Sequence, residues 1–78
     1  MNLSEAVAAR IEQLLRERGV TQYRLSQLSG VPQATISDIR LKKNRSVNLL
    51  VIYELADGLE MGLDEFFDSP LFKRENIV

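Results

Sequence analysis

The stretch from Thr21 to Arg40, TQYRLSQLSGVPQATISDIR, constrains this chain more than any other. Leu25 and Leu28 lie three apart before Gly30, and Ile36 and Ile39 lie three apart after Pro32, so each segment carries one narrow apolar stripe at helical spacing. Helices this short are not stable alone and must bury that stripe against a neighbour. Gly30 can take the left-handed conformation that ends a helix, and Pro32 has the fixed φ that suits the first turn of the next. Thr21 is the expected cap of the first helix, since its hydroxyl can accept from an unpaired first-turn amide. Ser26 is small enough for the point where the two backbones cross, and its hydroxyl is expected to bond back to the Gln22 carbonyl. Two short helices around a tight turn form a helix-turn-helix.

The remaining segments read as helices that enclose this pair. Ser4 is expected to cap a helix from about Glu5 to Arg18, with Val7, Ile11, Leu14 and Leu15 on one face and Gly19 ending it. LKKNRSV, after the central pair, is too charged to bury and reads as a surface loop. Asn48, or alternatively Ser46, caps a helix from Leu49 to about Leu59. Its apolar positions are 49, 52, 55, 56 and 59, with Leu50, Val51 and Tyr53 widening the stripe, so it is expected at the centre of the bundle. Gly58 lowers helix propensity there, which close packing would explain. GLDEFFD reads as a last short helix presenting Leu63, Phe66 and Phe67, with at least one of the two phenylalanines expected in the core, and Pro70 breaks it. The expected fold is an all-α, compact five-helix bundle. Residues 1–68 form the domain, and residues 69–78 form a short tail that packs back or meets a second copy.

Composition removes most chemistry. Among 78 residues there is no cysteine and no histidine, which excludes disulfides, thiolate or imidazole metal sites, cysteine nucleophiles and histidine general bases. The carboxylates of Asp64, Glu65 and Asp68 have the spacing of any solvated helix face, so no catalytic residue, metal site or cofactor is expected. The longest purely apolar run, Leu49 to Tyr53, is far too short for a membrane span, and a soluble, cytoplasmic protein is expected.

A net charge of −1 conceals a division along the chain. Arg10, Arg16, Arg18, Arg24, Arg40, Lys42, Lys43 and Arg45 face only Glu12, Glu17 and Asp38 between residues 10 and 45, whereas residues 46 to 72 hold acids and no base. A local basic face can steer a polyanion even on a nearly neutral chain. The competing reading of these side chains is an ordinary solvated surface. Beside the cluster from Arg40 to Arg45, the outward positions of the second central helix are Gln33, Ala34, Ser37 and Asp38, short groups suited to contact with base edges.

The order Gln22, Leu25, Ser26, Gly30, Val31, Ile36 and Ile39, followed by a basic loop, a capped apolar helix and Leu-Asp-Glu-Phe-Phe, resembles the lambda-repressor-like (Cro and Xre type) helix-turn-helix transcription regulators. The likeness runs from about Glu5 to Asp68. It implies a five-helix bundle that binds double-stranded DNA as a homodimer, with helix 3 in the major groove. Carried over by position, Gln22 would touch a phosphate and brace Gln33. Gln33 would read a base, adenine being favoured because an amide pairs with its N6 and N7 together, while Ala34 meets a thymine methyl and Asp38 accepts from cytosine N4. Ser37 shares their face. Thr35, Arg40, Lys42, Lys43, Asn44 and the first amides of helix 4 would hold the phosphate backbone. Ser26 stands where relatives most often have alanine, and Asp38 where many have an amide or a base.

Two functions from different classes fit this reading. One is a sequence-specific regulator, most simply a repressor, whose dimer contact lies in the acidic, apolar C-terminal third at Leu63, Phe66, Phe67, Leu71 and Phe72. The other is a protein-interaction module, such as the antitoxin of a toxin-antitoxin pair or an accessory factor, since fold alone does not decide function.

Overall fold

The computed structural model describes residues 1–43 and 46–78, and no strand occurs among them. Five α-helices follow one another: α1 Leu3–Arg18, α2 Gln22–Ser29, α3 Gln33–Arg40, α4 Leu49–Gly58 and α5 Leu63–Phe67. Two 3₁₀ turns, Pro70–Phe72 and Arg74–Asn76, complete the chain.

Local chemistry sets the ends of these helices. Asn2, not Ser4, caps α1: its Oδ1 accepts from the Glu5 amide at 2.8 Å, and Glu5 Oε1 accepts from the Asn2 amide at 2.8 Å. This reciprocal box satisfies two end amides together, and only a cap two residues before Ser4 can form it with Glu5. Ser4 is consequently buried inside the first turn. Thr21 caps α2 through its hydroxyl, and Asn48 caps α4 by accepting from the Leu50 amide. Three helices close the same way, with one residue in the left-handed region and two backbone bonds returning to the last turn. That residue is Gly19 after α1, Lys42 after α3 and Glu60 after α4, at φ 62°, 59° and 59°. Lys43 N donates to the Asp38 carbonyl and Lys42 N to the Ile39 carbonyl, and the same pattern ties Met61 and Glu60 to Ala56 and Asp57.

The core is one cluster to which every helix contributes. Val7, Ile11, Leu14 and Leu15 of α1 meet Leu25, Val31, Ile36 and Ile39 of the central pair, together with Ile52, Leu55, Ala56, Leu59, Met61 and Phe66. α2 lies chiefly on α4, and α1 on α3. Gly58 lets α4 approach α2: a Cβ there would stand 2.9 Å from the backbone N and Cα of Ser29. Arg10 is buried and donates to the Phe66 carbonyl at 2.7 Å and the Glu65 carbonyl at 2.9 Å, placing a cation at the C-terminal end of α5.

Three expectations about apolar surface are corrected. Only Ile52, Leu55 and Ala56 of α4 are buried, while Leu49, Leu50 and Tyr53 are 62%, 64% and 48% exposed; α4 forms a wall of the bundle and not its centre. Leu28 is also exposed, because α2 turns only Leu25 inward. Phe66, assigned to a partner surface with its neighbours, is 1% exposed and fills the domain's own core. Its ring meets Phe67 edge-on at 5.1 Å, and Phe67 meets Phe72 at 4.9 Å. The tail lies back on α1, where Val78 N donates to the Met1 carbonyl and Met1 N to the Asn76 carbonyl.

Candidate nucleic-acid interface

The turn between α2 and α3 is braced by two serines. Gly30 sits at φ 78° and returns its amide to the Ser26 carbonyl. The Ser26 hydroxyl donates to the Val31 carbonyl at 2.7 Å and not to Gln22 as expected. The carbonyl it serves is freed by the turn, whereas that of Gln22 belongs to the helix ladder. Ser29 donates its hydroxyl to the Leu25 carbonyl and accepts from the Val31 amide at 3.1 Å. Val31 is thus held at both polar atoms while its side chain enters the core.

This turn fixes which face α3 presents. Ile36 and Ile39 are buried, so Gln33 and Ala34 are exposed on the other side, with Ser37 and Asp38 half-buried beside them. Pro32 precedes the helix without a side-chain cap, its carbonyl accepting from the Thr35 and Ile36 amides, so Gln33 and Ala34 stand at the positive end of the helix dipole with no capping side chain. Thr35 is half-buried and shares a cleft with Ser46, Val47 and Asn48 at the start of α4. Gln22 at the start of α2 donates from Nε2 to the Gln33 carbonyl at 3.4 Å, which joins the beginnings of the two helices.

The basic groups divide into two sets. Lys42 and Lys43 are exposed at the end of α3, as are Arg16 and Arg24 elsewhere on the surface. Lys43 Nζ lies 3.7 Å from Asp38 Oδ1, so the acid on the outward face of α3 has a cation beside it. Asn44, assigned to phosphate binding, and Arg45 lie outside the described residues. Arg10 and Arg18 leave the expected basic face: Arg10 is internal, and Arg18 donates to the Leu59 carbonyl and approaches Glu65 at 3.7 Å. Arg40 also turns away from the loop cluster. Its Nε donates to Glu12 Oε1 at 2.5 Å and its Nη1 to Gln22 Oε1 at 2.9 Å. The hydrogen bond from Arg40 holds the Glu12 carboxyl below its ordinary range, with the charges of Arg40 and Arg16 adding to the effect and partial burial opposing it. No local spacing pairs Glu12 with Arg40. They meet only because α1 and α3 are packed together.

The turn, the short helix with polar groups outward and the lysines that follow it thus lie together on one part of the chain. Residues 10–70 match the Cro/C1-type HTH DNA-binding domain family. The chain belongs to that family. Its DNA-binding helix-turn-helix is α2 and α3, and the match reaches from α1 to the start of the first 3₁₀ turn. No curated protein and no solved structure matches the chain. None of the described helices is long and apolar enough to cross a membrane.

Proposed function

We propose that this DNA-binding regulator is a sequence-specific, cytoplasmic repressor that places α3 in the major groove and acts as a homodimer on a two-fold-symmetric operator. The observation that carries the reading is the start of α3, where Gln33 and Ala34 are exposed on an uncapped helix end and Gln22 braces the Gln33 backbone. In this reading Gln33, Ala34, Ser37 and Asp38 meet base edges, while Gln22, Thr35, Lys42, Lys43 and Asn44 hold phosphates. Lys43 beside Asp38 offsets the acid's repulsion from the backbone. Dimerisation is supported by a groove lined with Leu3, Val7, Leu49, Ile52 and Phe67, whose rim leaves Leu3 and Leu49 largely exposed.

Selection of bound duplexes from a random pool tests the reading. Gln33→Ala is expected to cost about 1–3 kcal/mol on the selected duplex and little on a random one. Equal losses on the two would remove Gln33 from base reading.

A further inference from the structure

Base reading by Gln33 requires that the start of α3 be held in one place, and a chain of contacts from α1 reaches it. Arg40, the last residue of α3, donates from Nε to Glu12 Oε1 at 2.5 Å and from Nη1 to Gln22 Oε1 at 2.9 Å. A guanidinium has donors only, so the Gln22 amide must turn its oxygen toward Arg40. Its Nε2 then faces the other way, where the Gln33 carbonyl accepts at 3.4 Å. The reversed amide would set donor against donor at Arg40 and acceptor against acceptor at Gln33.

We propose that Arg40 and Glu12 are positioning residues for DNA reading: Glu12 fixes the guanidinium plane, Arg40 fixes the orientation of the Gln22 amide, and that amide holds the first residue of the reading helix. This rests on the proposed base-reading role of Gln33. The two ends of α3 are thereby tied through one arginine to one amide on α2. Nε2 carries a second hydrogen, which the same orientation leaves free to donate to a phosphate. Lysine cannot replace this arrangement, because an ammonium lacks the planar fork that serves two acceptors at a fixed angle. The Arg40 and Glu12 side chains are 28% and 43% exposed, so their ion pair is screened and adds little to stability. Positioning and folding are therefore separable by experiment.

The test uses the full chain, the duplex of highest affinity recovered from a random pool and a random duplex of the same length. Arg40→Lys keeps the charge and is expected to bind the selected duplex about tenfold more weakly, with less than about a twofold change on the random duplex. On a Gln22→Ala background, where the amide is absent, Arg40→Lys should change affinity for the selected duplex by less than about twofold. Glu12→Gln keeps an acceptor without the charge, should fall between wild type and Arg40→Lys, and is the second variant if Arg40→Lys fails to fold. Equal losses on the two duplexes, or additivity with Gln22→Ala, overturn the positioning role. A wild-type chain that prefers no duplex removes base reading and this inference together, whereas a preference retained in both variants removes this inference alone.

Discussion

Lys42 takes the left-handed conformation, at φ 59°, in the position that ends α3. A side chain there costs about 1–2 kcal/mol, and the larger unfolded-state entropy of glycine would offset part of the gain from removing it. Glu60 takes the same conformation after α4, so the conformation alone gives Lys42 no role, and a role in DNA binding has to be read from the binding itself. Lys42→Gly is expected to stabilise the fold by about 0.5–1 kcal/mol, a rise of several degrees in Tm. It should also weaken binding to every duplex and lower the log-log salt slope by about one. Melting curves and a salt titration of one variant read both effects. A higher Tm with an unchanged slope would return Lys42 to the solvated surface.

At the same scale, the depressed pKa of Glu12 has a defined sign. The unfolded chain binds that proton more tightly than the folded one. The contribution of the Arg40 contact is therefore fully present above the ordinary glutamate value of about 4.3 and is lost as pH falls through the lower folded-state value. The Tm difference between wild type and Glu12→Gln should shrink as pH drops below that value. A difference that is constant with pH would show that the ion pair is not what distinguishes them.

Among the elements, the contact of α2 with α4 limits change most tightly. Alanine at Gly58 would improve helix propensity by about 1 kcal/mol in an open site. Here its Cβ meets the Ser29 backbone at 2.9 Å, and no side chain can rotate aside to relieve it. Gly58→Ala is thus expected to destabilise by about 1–3 kcal/mol, measured by urea unfolding, and to weaken DNA binding because Ser29 holds the turn before α3. A stabilised variant would mean that α2 can retreat from α4 without loss. The sequence carried the signal for this approach, since a glycine inside a helical pattern gives up propensity and a close backbone neighbour is what makes that loss worthwhile. The helix-turn-helix was legible for a related reason: its two stripes, Gly30 and Pro32 are all local. The exposed side of α4 was not, because an apolar residue looks the same whether a neighbouring helix covers it or not. The Asn2 box was present in MNLSE, but Ser4 offered a competing cap nearer Val7, where the apolar stripe begins. Glu12 with Arg40, 28 residues apart, carried no local pattern.

For the molecule as a whole, the proposed reading surface and the exposed apolar surface belong to different sides of the charge division. Lys42 and Lys43 follow α3, whereas α4 and α5 carry acids, a division that disfavours phosphate along the body of α4 and α5 and supports the proposed contact with a second copy there. One reading helix covers few base pairs and discriminates poorly against a genome of competing sites, which favours two copies on one operator. The internal position of Phe66 moves the proposed contact toward Leu49, Leu3 and the half-buried Phe67, which line one groove. Leu49→Asp probes the contact when affinity for a single half-site is measured beside it, because Leu49 is 62% exposed and an acid in the first turn of α4 suits the helix dipole, while its charge would also repel a phosphate held there. The variant is expected to melt within about 0.5 kcal/mol of wild type, as exposed substitutions do, yet to bind a two-half-site operator without cooperativity. Two wild-type copies should require half-sites about one helical turn, roughly 34 Å, apart, so inserting half a turn between them should also abolish cooperativity. Footprinting across spacer lengths reads the second effect, and the mass of the complex reads the first. A monomeric mass on the intact operator, or tolerance of the half-turn insertion, would refute the dimer, and full cooperativity in Leu49→Asp would place its contact elsewhere.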